Sequence, residues 1–210
     1  MIDNKKIIAI IAAIARRVEA EKDFLTQLDN EIGDGDHGIN LSRGFKSVEA
    51  NLPALADKDI GAILKGVGTK LVSTVGGASG PLYGTAFMKA GNFCKGKFEL
   101  TDAEFVAAFE VAVNGVKMRG KAVEGEKTML DALCPAHAAL KAGIDGGKTL
   151  TEALTDGVAA AAAGVEYTKT IIATKGRASY LQERSLGHQD PGATSSLYML
   201  QTMLETLKEA

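Results

Sequence analysis

The sequence is poor in several features, and each shortage excludes a class of protein. Its 210 residues carry a formal net charge of only -2, so no charge excess favours nucleic acid or an anionic membrane as a partner. The apolar run at residues 7–15 is interrupted by Arg16 and Arg17 and is too short to span a membrane. We therefore expect a cytoplasmic protein that binds neither nucleic acid nor a membrane.

Cysteine is scarce as well. Cys94 and Cys134 lie far apart on stretches with helical character, and we expect reduced core residues rather than a disulfide or a metal site. Alternating strand patterns are also missing. Hydrophobic residues make up 46% of the chain, which excludes disorder, and the length predicts a single domain over residues 1–210.

Helical periodicity dominates instead and predicts eight helices. Capping boxes at 101–104 and 149–152 open the fifth and seventh, Asp190 and Pro191 open the eighth, and Pro135 is expected to kink the sixth. The other predicted bounds are 4–28 for the first helix, from the following loop to 49 for the second, 57–75, 81–96, and 127–142 for the sixth. Because short loops join these helices, we expect an all-α, antiparallel up-and-down bundle or barrel.

Four connections are strongly polar and contain glycine, namely 29–38, 76–80, 119–126 and 174–189. They follow the odd-numbered helices, whose ends lie on the same side of an up-and-down bundle. The remaining connections have the composition of ordinary surface turns. This segregation predicts a ligand site at one rim.

Three aspartates, Asp29, Asp34 and Asp36, fall within eight positions, between glycines and just before a predicted helix. Carboxylates this close repel one another, so hydration or a cation must offset their charge. Hard oxygen ligands beside a helix start suit Mg²⁺ holding a phosphate, and a solvated acidic loop is the alternative. The spacing does not match an EF-hand.

Other polar segments allow two interpretations each. The loop at 76–81, with Ser79, either approaches a phosphate or is a tight turn, and it matches neither a Walker A nor a Rossmann loop. Arg177 could neutralise charge during phosphoryl transfer or simply be solvated. His37 and His188 could contact phosphate, orient a ligand or carry a phosphoryl group, or could satisfy local backbone groups.

Together these motifs resemble the nucleotide-binding L subunit of dihydroxyacetone kinases, in the branch that depends on the phosphotransferase system. The matching segments follow one another along almost the whole chain: 31–38, 76–84, 119–121, 127–129, 175–180 and 187–195. The resemblance implies an eight-helix barrel that holds ADP or ATP and two Mg²⁺ at one rim.

The resemblance also implies roles for particular residues. Asp29, Asp34 and Asp36 would be the Mg²⁺ ligands, and Arg177 would be catalytic, near the phosphates. Gly120 and Met129 would border the adenine. The implied nucleotide-binding residues are His37, Gly38, Ile39, Asn40, Ala78, Ser79, Gly80, Gly120, Met129, Arg177, Asp190, Pro191 and Gly192.

In that branch, ADP held by the L subunit is phosphorylated by a phosphohistidine-carrying, M-type subunit. The resulting ATP then phosphorylates dihydroxyacetone on a separate K subunit. The sequence ends at Ala210 without a K domain, so we expect this arrangement. The alternatives are the nucleotide subunit of an ATP-exchanging kinase for dihydroxyacetone or another small acceptor, and a nucleotide-dependent regulatory co-activator.

Overall fold

The computed structural model describes residues 1–209, and within them nine α-helices account for most of the chain. They are α1 (Asn4–Ala20), α2 (Lys22–Ile32), α3 (His37–Asn51), α4 (Ile60–Thr74), α5 (Ser79–Phe93), α6 (Asp102–Gly120), α7 (Leu130–Asp145), α8 (Leu150–Thr168) and α9 (Pro191–Lys208). Two 3₁₀ segments, Leu52–Leu55 and Arg177–Ser185, and one antiparallel pair of two-residue strands, β1 (Ile2–Asp3) and β2 (Glu99–Leu100), complete the regular structure.

The helices close into a barrel. α1 packs against α3, each later helix packs against the next, and α9 returns to α1. α1 and α2 together take the place of the single first helix that the sequence predicts. They are separated at Glu21, whose ψ of 4° departs from the helical value, and α3 packs against both. The predicted all-α barrel is thus confirmed, and two helices, α1 and α2, occupy the place of its first helix.

Two predicted helix starts are wrong by a few residues, and one predicted connection contains regular structure. α5 begins at Ser79, ahead of Pro81. α7 begins at Leu130 rather than 127, because Lys127 has a φ of 61°, which a right-handed helix cannot contain. The predicted 174–189 connection contains the 3₁₀ segment Arg177–Ser185.

Glycines set the distance between α4 and α5. A Cβ at Gly61 would lie 2.7 Å from the Gly91 carbonyl oxygen, and a Cβ at Gly91 would lie 2.8 Å from that of Gly61. Gly68 and Gly84 make the same reciprocal contact further along the two helices, since a Cβ on either residue would meet the carbonyl oxygen of the other. The two backbones therefore touch directly, and this rigid pair carries the glycine loop between them to one end of the barrel.

The interior of the ring is apolar and includes a cavity lined mainly by side chains of α1, α5, α6 and α9. Cys94 is fully buried, whereas Cys134 is only partly buried. Pro135 lies inside α7 and has no N–H for the Asp131 carbonyl oxygen, which instead lies against Gly164 of α8. Among residues 1–209, the helices lack the combination of length and apolar character that a membrane span requires.

Candidate functional site

One end of the barrel holds a cleft built from the loops that the sequence singled out. Its walls are the end of α2 and start of α3, the loop before α5, the turn before α7, the segment around Arg177 and the start of α9. Most residues predicted to hold metal or nucleotide line it: Asp29, Asp34, Asp36, His37, Ala78, Ser79, Met129, Arg177, Asp190, Pro191 and Gly192.

The three aspartates converge on one wall of the cleft. One carboxylate oxygen from each of Asp29, Asp34 and Asp36 lies within 4.8 Å of the others. Hydrogen bonds hold the turn that follows Asp29. Asp29 Oδ2 accepts them from the backbone N–H groups of Asp36, at 2.9 Å, and His37, at 3.1 Å. Gly35 has a φ of 72°, and a Cβ there would overlap the Asn30 side chain. The local fold therefore holds the carboxylates together despite their repulsion.

This donor set fits a hard divalent cation. Two oxygens on one Mg²⁺ can lie up to about 4.2 Å apart, given bond lengths of about 2.1 Å, so small rotations of the side chains would suffice. The nearest cationic group is Arg177, whose Nε lies 2.8 Å from Asp34 Oδ2. Three carboxylates and one guanidinium leave a net charge of about -2. A cation at this wall would offset that charge.

His37 is held by a chain of hydroxyl groups. Its Nε2 lies 3.0 Å from Ser195 Oγ, which lies 2.7 Å from the Tyr83 hydroxyl, so the chain links α3, α9 and α5. Burial lowers the pKa of His37 against the opposing effect of Asp29 and Asp36, and burial raises the pKa of Tyr83 to about 12. The ring of His37 is therefore oriented by another helix, not by local backbone groups.

The start of α9 forms the opposite wall. The buried Asp190 is its N-cap, and its Oδ2 accepts a hydrogen bond of 2.6 Å from the Ala193 N–H. Burial raises the pKa of Asp190 to about 7. Gly192 follows it and lies close to Met129, since a Cβ on Gly192 would be 3.6 Å from that of Met129. Asp190 therefore both caps the start of α9 and lines the cleft.

Five predicted nucleotide-binding residues lie outside the residues that line the cleft. Gly38 and Gly80 are packing positions: a Cβ would come within 2.0 Å of the α2 backbone at Gly38 and 2.3 Å of the end of α4 at Gly80. Asn40 is buried, and its Oδ1 accepts a hydrogen bond of 2.7 Å from a neighbouring arginine. The side chain of Ile39 is 51% exposed, and Gly120 ends α6.

Several lining residues were not among the predicted ligands, chiefly Gly77, Lys127, Thr128, Lys175 and Gly176. All of them belong to segments that carry the family resemblance, so the signal was present in the sequence. What the sequence did not show is that Lys127 is buried almost completely, at 1% exposure.

The other two histidines are placed differently. His188 Nδ1 lies 3.0 Å from a carboxylate oxygen of Glu31, outside the residues that line the cleft. His137 lies in α7, with its ring 6.0 Å from that of Phe109. Of the three histidines, only His37 lines the cleft.

The chain matches the family model described as DAK2 domain over residues 31–205. It is 48% identical over 189 residues to the PEP-dependent dihydroxyacetone kinase, ADP-binding subunit DhaL, of Escherichia coli (strain K12), and the alignment covers 90% of each chain. It is 45% identical over 195 residues to the PEP-dependent dihydroxyacetone kinase 2, ADP-binding subunit DhaL, of Listeria innocua, with 92% of this chain and 90% of the relative covered.

The fold is also similar to a solved structure, that of the dihydroxyacetone kinase from C. freundii in complex with AMP-PNP and Mg²⁺. The TM-score is 0.74 at 26% sequence identity, over 94% of this chain and 33% of that chain. This chain therefore spans about a third of the length of that kinase.

Proposed function

The chain belongs to the DAK2 domain family, and on that premise we propose that it is the nucleotide-binding subunit of a phosphoenolpyruvate-dependent dihydroxyacetone kinase. In this function, bound ADP accepts a phosphoryl group from a phosphohistidine-carrying, M-type partner. The ATP so formed phosphorylates dihydroxyacetone on a separate K subunit. We place all three proteins in the cytoplasm.

The observation that carries this proposal is the meeting of Arg177 with the three clustered aspartates at one cleft. Phosphoryl transfer needs positioning and charge stabilisation more than covalent chemistry from the protein. Carboxylates that hold Mg²⁺, a guanidinium and the start of a helix supply those functions. The printed names of two relatives, both ADP-binding subunits of PEP-dependent dihydroxyacetone kinases, support the same conclusion.

Each part of the cleft has a proposed role. Asp29, Asp34 and Asp36 would hold two Mg²⁺, which when bound screen the nucleotide phosphates from the carboxylates. The N–H groups at the start of α3 and the loop around Ser79 would contact phosphate oxygens. Arg177 would neutralise charge on the phosphoryl group during transfer.

The remaining predicted residues complete the pocket. His37 would face the phosphates in the orientation that Ser195 sets. The wall formed by Met129 and the Asp190–Gly192 turn would border the nucleoside. Gly38, Ile39, Asn40, Gly80 and Gly120 would contribute through their backbone, since their side-chain positions serve packing or lie outside the lining.

Native mass spectrometry tests whether nucleotide is held permanently. The chain, purified without added nucleotide, should carry one ADP and two Mg²⁺. Recovery of nucleotide-free protein that binds ATP reversibly would instead favour the ATP-exchanging kinase. Nucleotide binding without any phosphoryl transfer in the presence of the partner subunits would favour the regulatory co-activator.

Radiolabelled phosphoenolpyruvate tests the route of transfer. With the general phosphotransferase proteins and the M-type partner, followed by denaturation at alkaline pH, the label should leave the chain as ATP. We propose direct transfer because a relay through histidine would need its own in-line site. Acid-labile label that stays on the chain, and is lost in His37→Ala or His188→Ala, would make the protein a phosphohistidine carrier.

A further inference from the structure

Lys127 places a buried ammonium group in the cleft wall, and its hydrogen bonds go to backbone carbonyl oxygens. Its Nζ donates hydrogen bonds to the carbonyl oxygens of Thr168, at 2.5 Å, and His188, at 2.6 Å, with a longer contact of 3.4 Å to Ile171. A lysine ammonium has three N–H donors, so these acceptors use all of them. Lys127 therefore lines the cleft without a proton left for a phosphate oxygen.

The acceptors lie at the two ends of one segment. Residues 169–188 leave the end of α8 and return to the start of α9, and we call this segment the return segment. Its ends are also joined directly, because the Gly187 N–H donates to the Lys169 carbonyl oxygen at 2.8 Å and the Asp190 N–H donates to Thr168 Oγ1 at 3.0 Å. We call this junction of the two ends the neck. Lys127 donates hydrogen bonds to both sides of the neck.

The return segment carries Arg177 to the cleft. The Arg177 side chain is 65% exposed and forms an ion pair with Asp34. Because few contacts hold its side chain, its position depends on the backbone of the return segment. The neck is one place where that backbone is attached to the barrel. Two others are the bond of 3.3 Å from the Thr174 N–H to the Glu126 carbonyl oxygen and the packing of Ala178 against Ile32 of α2.

The backbone conformation at Lys127 directs its side chain into the interior. Its φ of 61° is a left-handed conformation that costs energy in a non-glycine residue, so the surrounding contacts must maintain it. The next turn is held by the buried Asp131, whose carboxylate accepts hydrogen bonds from Gly125 N–H, at 2.5 Å, and Thr128 N–H, at 2.7 Å. Burial lowers the pKa of Lys127, while Asp190 and Asp131 oppose that effect.

We propose that Lys127 is a positioning residue for phosphoryl transfer, which closes the neck of the return segment and thereby places Arg177 at the aspartate wall. This inference rests on the proposed function. It assigns Lys127 no contact with nucleotide, so its loss should slow transfer while leaving nucleotide affinity nearly unchanged.

The test compares Lys127→Met with Lys169→Met, a matched control at the same neck. The Lys169 ammonium is partly exposed and pairs with Glu166 at 2.8 Å. Lys127→Met should lower kcat for ATP formation by about 10²-fold, the scale of a misplaced catalytic group, with ADP affinity within about threefold of wild type. Lys169→Met should transfer at the wild-type rate.

Coupling to Arg177 separates positioning from general stability. If Lys127 acts through Arg177, adding Lys127→Met to Arg177→Ala should slow transfer by less than about threefold more, because the two changes remove one function. Full additivity, or a wild-type kcat in Lys127→Met, would overturn the proposal. The partial donor replacement Lys127→Gln should give a rate between those of wild type and Lys127→Met.

Hydrogen exchange on the unmodified protein keeps the proposal testable if the variants fail to fold. The amides of Gly187 and Asp190 should be protected nearly as well as the core helices, while those around Gly176 exchange quickly. Equally fast exchange at both places would overturn the proposal. Failure of wild-type protein to form ATP, with the neck protected, would instead count against the proposed function.

Discussion

The two ends of the barrel are made from the same helices but differ in how their charged groups are paired and in their backbone conformation. At the end opposite the cleft, three helix starts are capped by local side chains: Thr101 and Thr149 form complete capping boxes, and Asp59 caps α4. At the cleft end, three carboxylates are gathered, and the non-glycine residue Lys127 adopts a left-handed backbone conformation. The opposite end stabilises the barrel, whereas the cleft end keeps charge available for a ligand.

Two charged clusters show this difference directly. At the opposite end, Lys97 Nζ lies 2.7 Å from Glu104 Oε1, and this pairing lowers the pKa of Glu104 to about 2. At the cleft, one guanidinium, that of Arg177, faces three carboxylates. One cluster is balanced by the protein, and the other is balanced only when a cation joins it. Substitutions at the two ends should therefore affect different properties.

The largest expected effect is on the aspartate wall. Asp34→Ala or Asp36→Ala should abolish nucleotide retention, because the cations that screen the phosphates lose a ligand, while helical content stays nearly intact. Retained nucleotide after desalting, measured by mass spectrometry, checks this. Asp145→Ala, an exposed aspartate paired with Lys141, is the control and should retain nucleotide. Wild-type ADP affinity and stoichiometry in either cleft variant would refute the metal assignment.

Arg177→Ala should come next. We expect transfer to slow by about 10²–10³-fold, as for other donors that stabilise transition-state charge. Stability should change by less than about 0.5 kcal/mol, since the side chain is largely exposed. Single-turnover formation of ATP measures the rate, with Arg184→Ala in the same 3₁₀ segment as the control. An unchanged rate in Arg177→Ala would remove this residue from the site.

Gly61→Ala tests a helix contact away from the cleft. Its Cβ would lie 2.6 Å from Lys95 Cα and 2.7 Å from the Gly91 carbonyl oxygen, so we expect a loss of about 1–3 kcal/mol in unfolding free energy. Gly66→Ala in the same helix is the matched control, because its Cβ meets only the flexible end of Leu55. Urea denaturation should find the control neutral or more stable. Equal stabilities would show that α4 and α5 do not need this close contact.

The smallest expected effect is on the pH dependence of stability, through Glu104 at the end opposite the cleft. Glu104 has a pKa of about 2 in the folded chain, below its ordinary value of 4.5. Its contribution to stability is therefore present above about pH 4.5 and is lost as the pH falls toward 2. Glu104→Gln should flatten this part of the pH dependence of the melting temperature, while nucleotide retention at neutral pH stays unchanged. An identical pH dependence in variant and wild type would contradict the pairing with Lys97.

The sequence alone predicted the all-α architecture, most of the helices and the metal-binding hypothesis, although it missed the division of the first helix into α1 and α2. Capping boxes at 101–104 and 149–152, and the cap at Asp190, act through residues three positions apart, so local pattern predicts them. Asp29, Asp34 and Asp36 are likewise near neighbours in the chain, and their grouping needed only one turn. The family resemblance then named most of the residues that line the cleft.

Tertiary structure decided what depends on distant partners. Ser195 lies 158 positions from His37, and Lys127 bonds carbonyl oxygens 41 and 61 positions away, so local spacing could not predict either contact. The sequence also could not separate glycines that pack, such as Gly38, from Gly77, which lines the cleft. Local patterns predict helices because caps and turns join near neighbours, whereas the cleft depends on closing the ring, which brings distant backbone and side chains together.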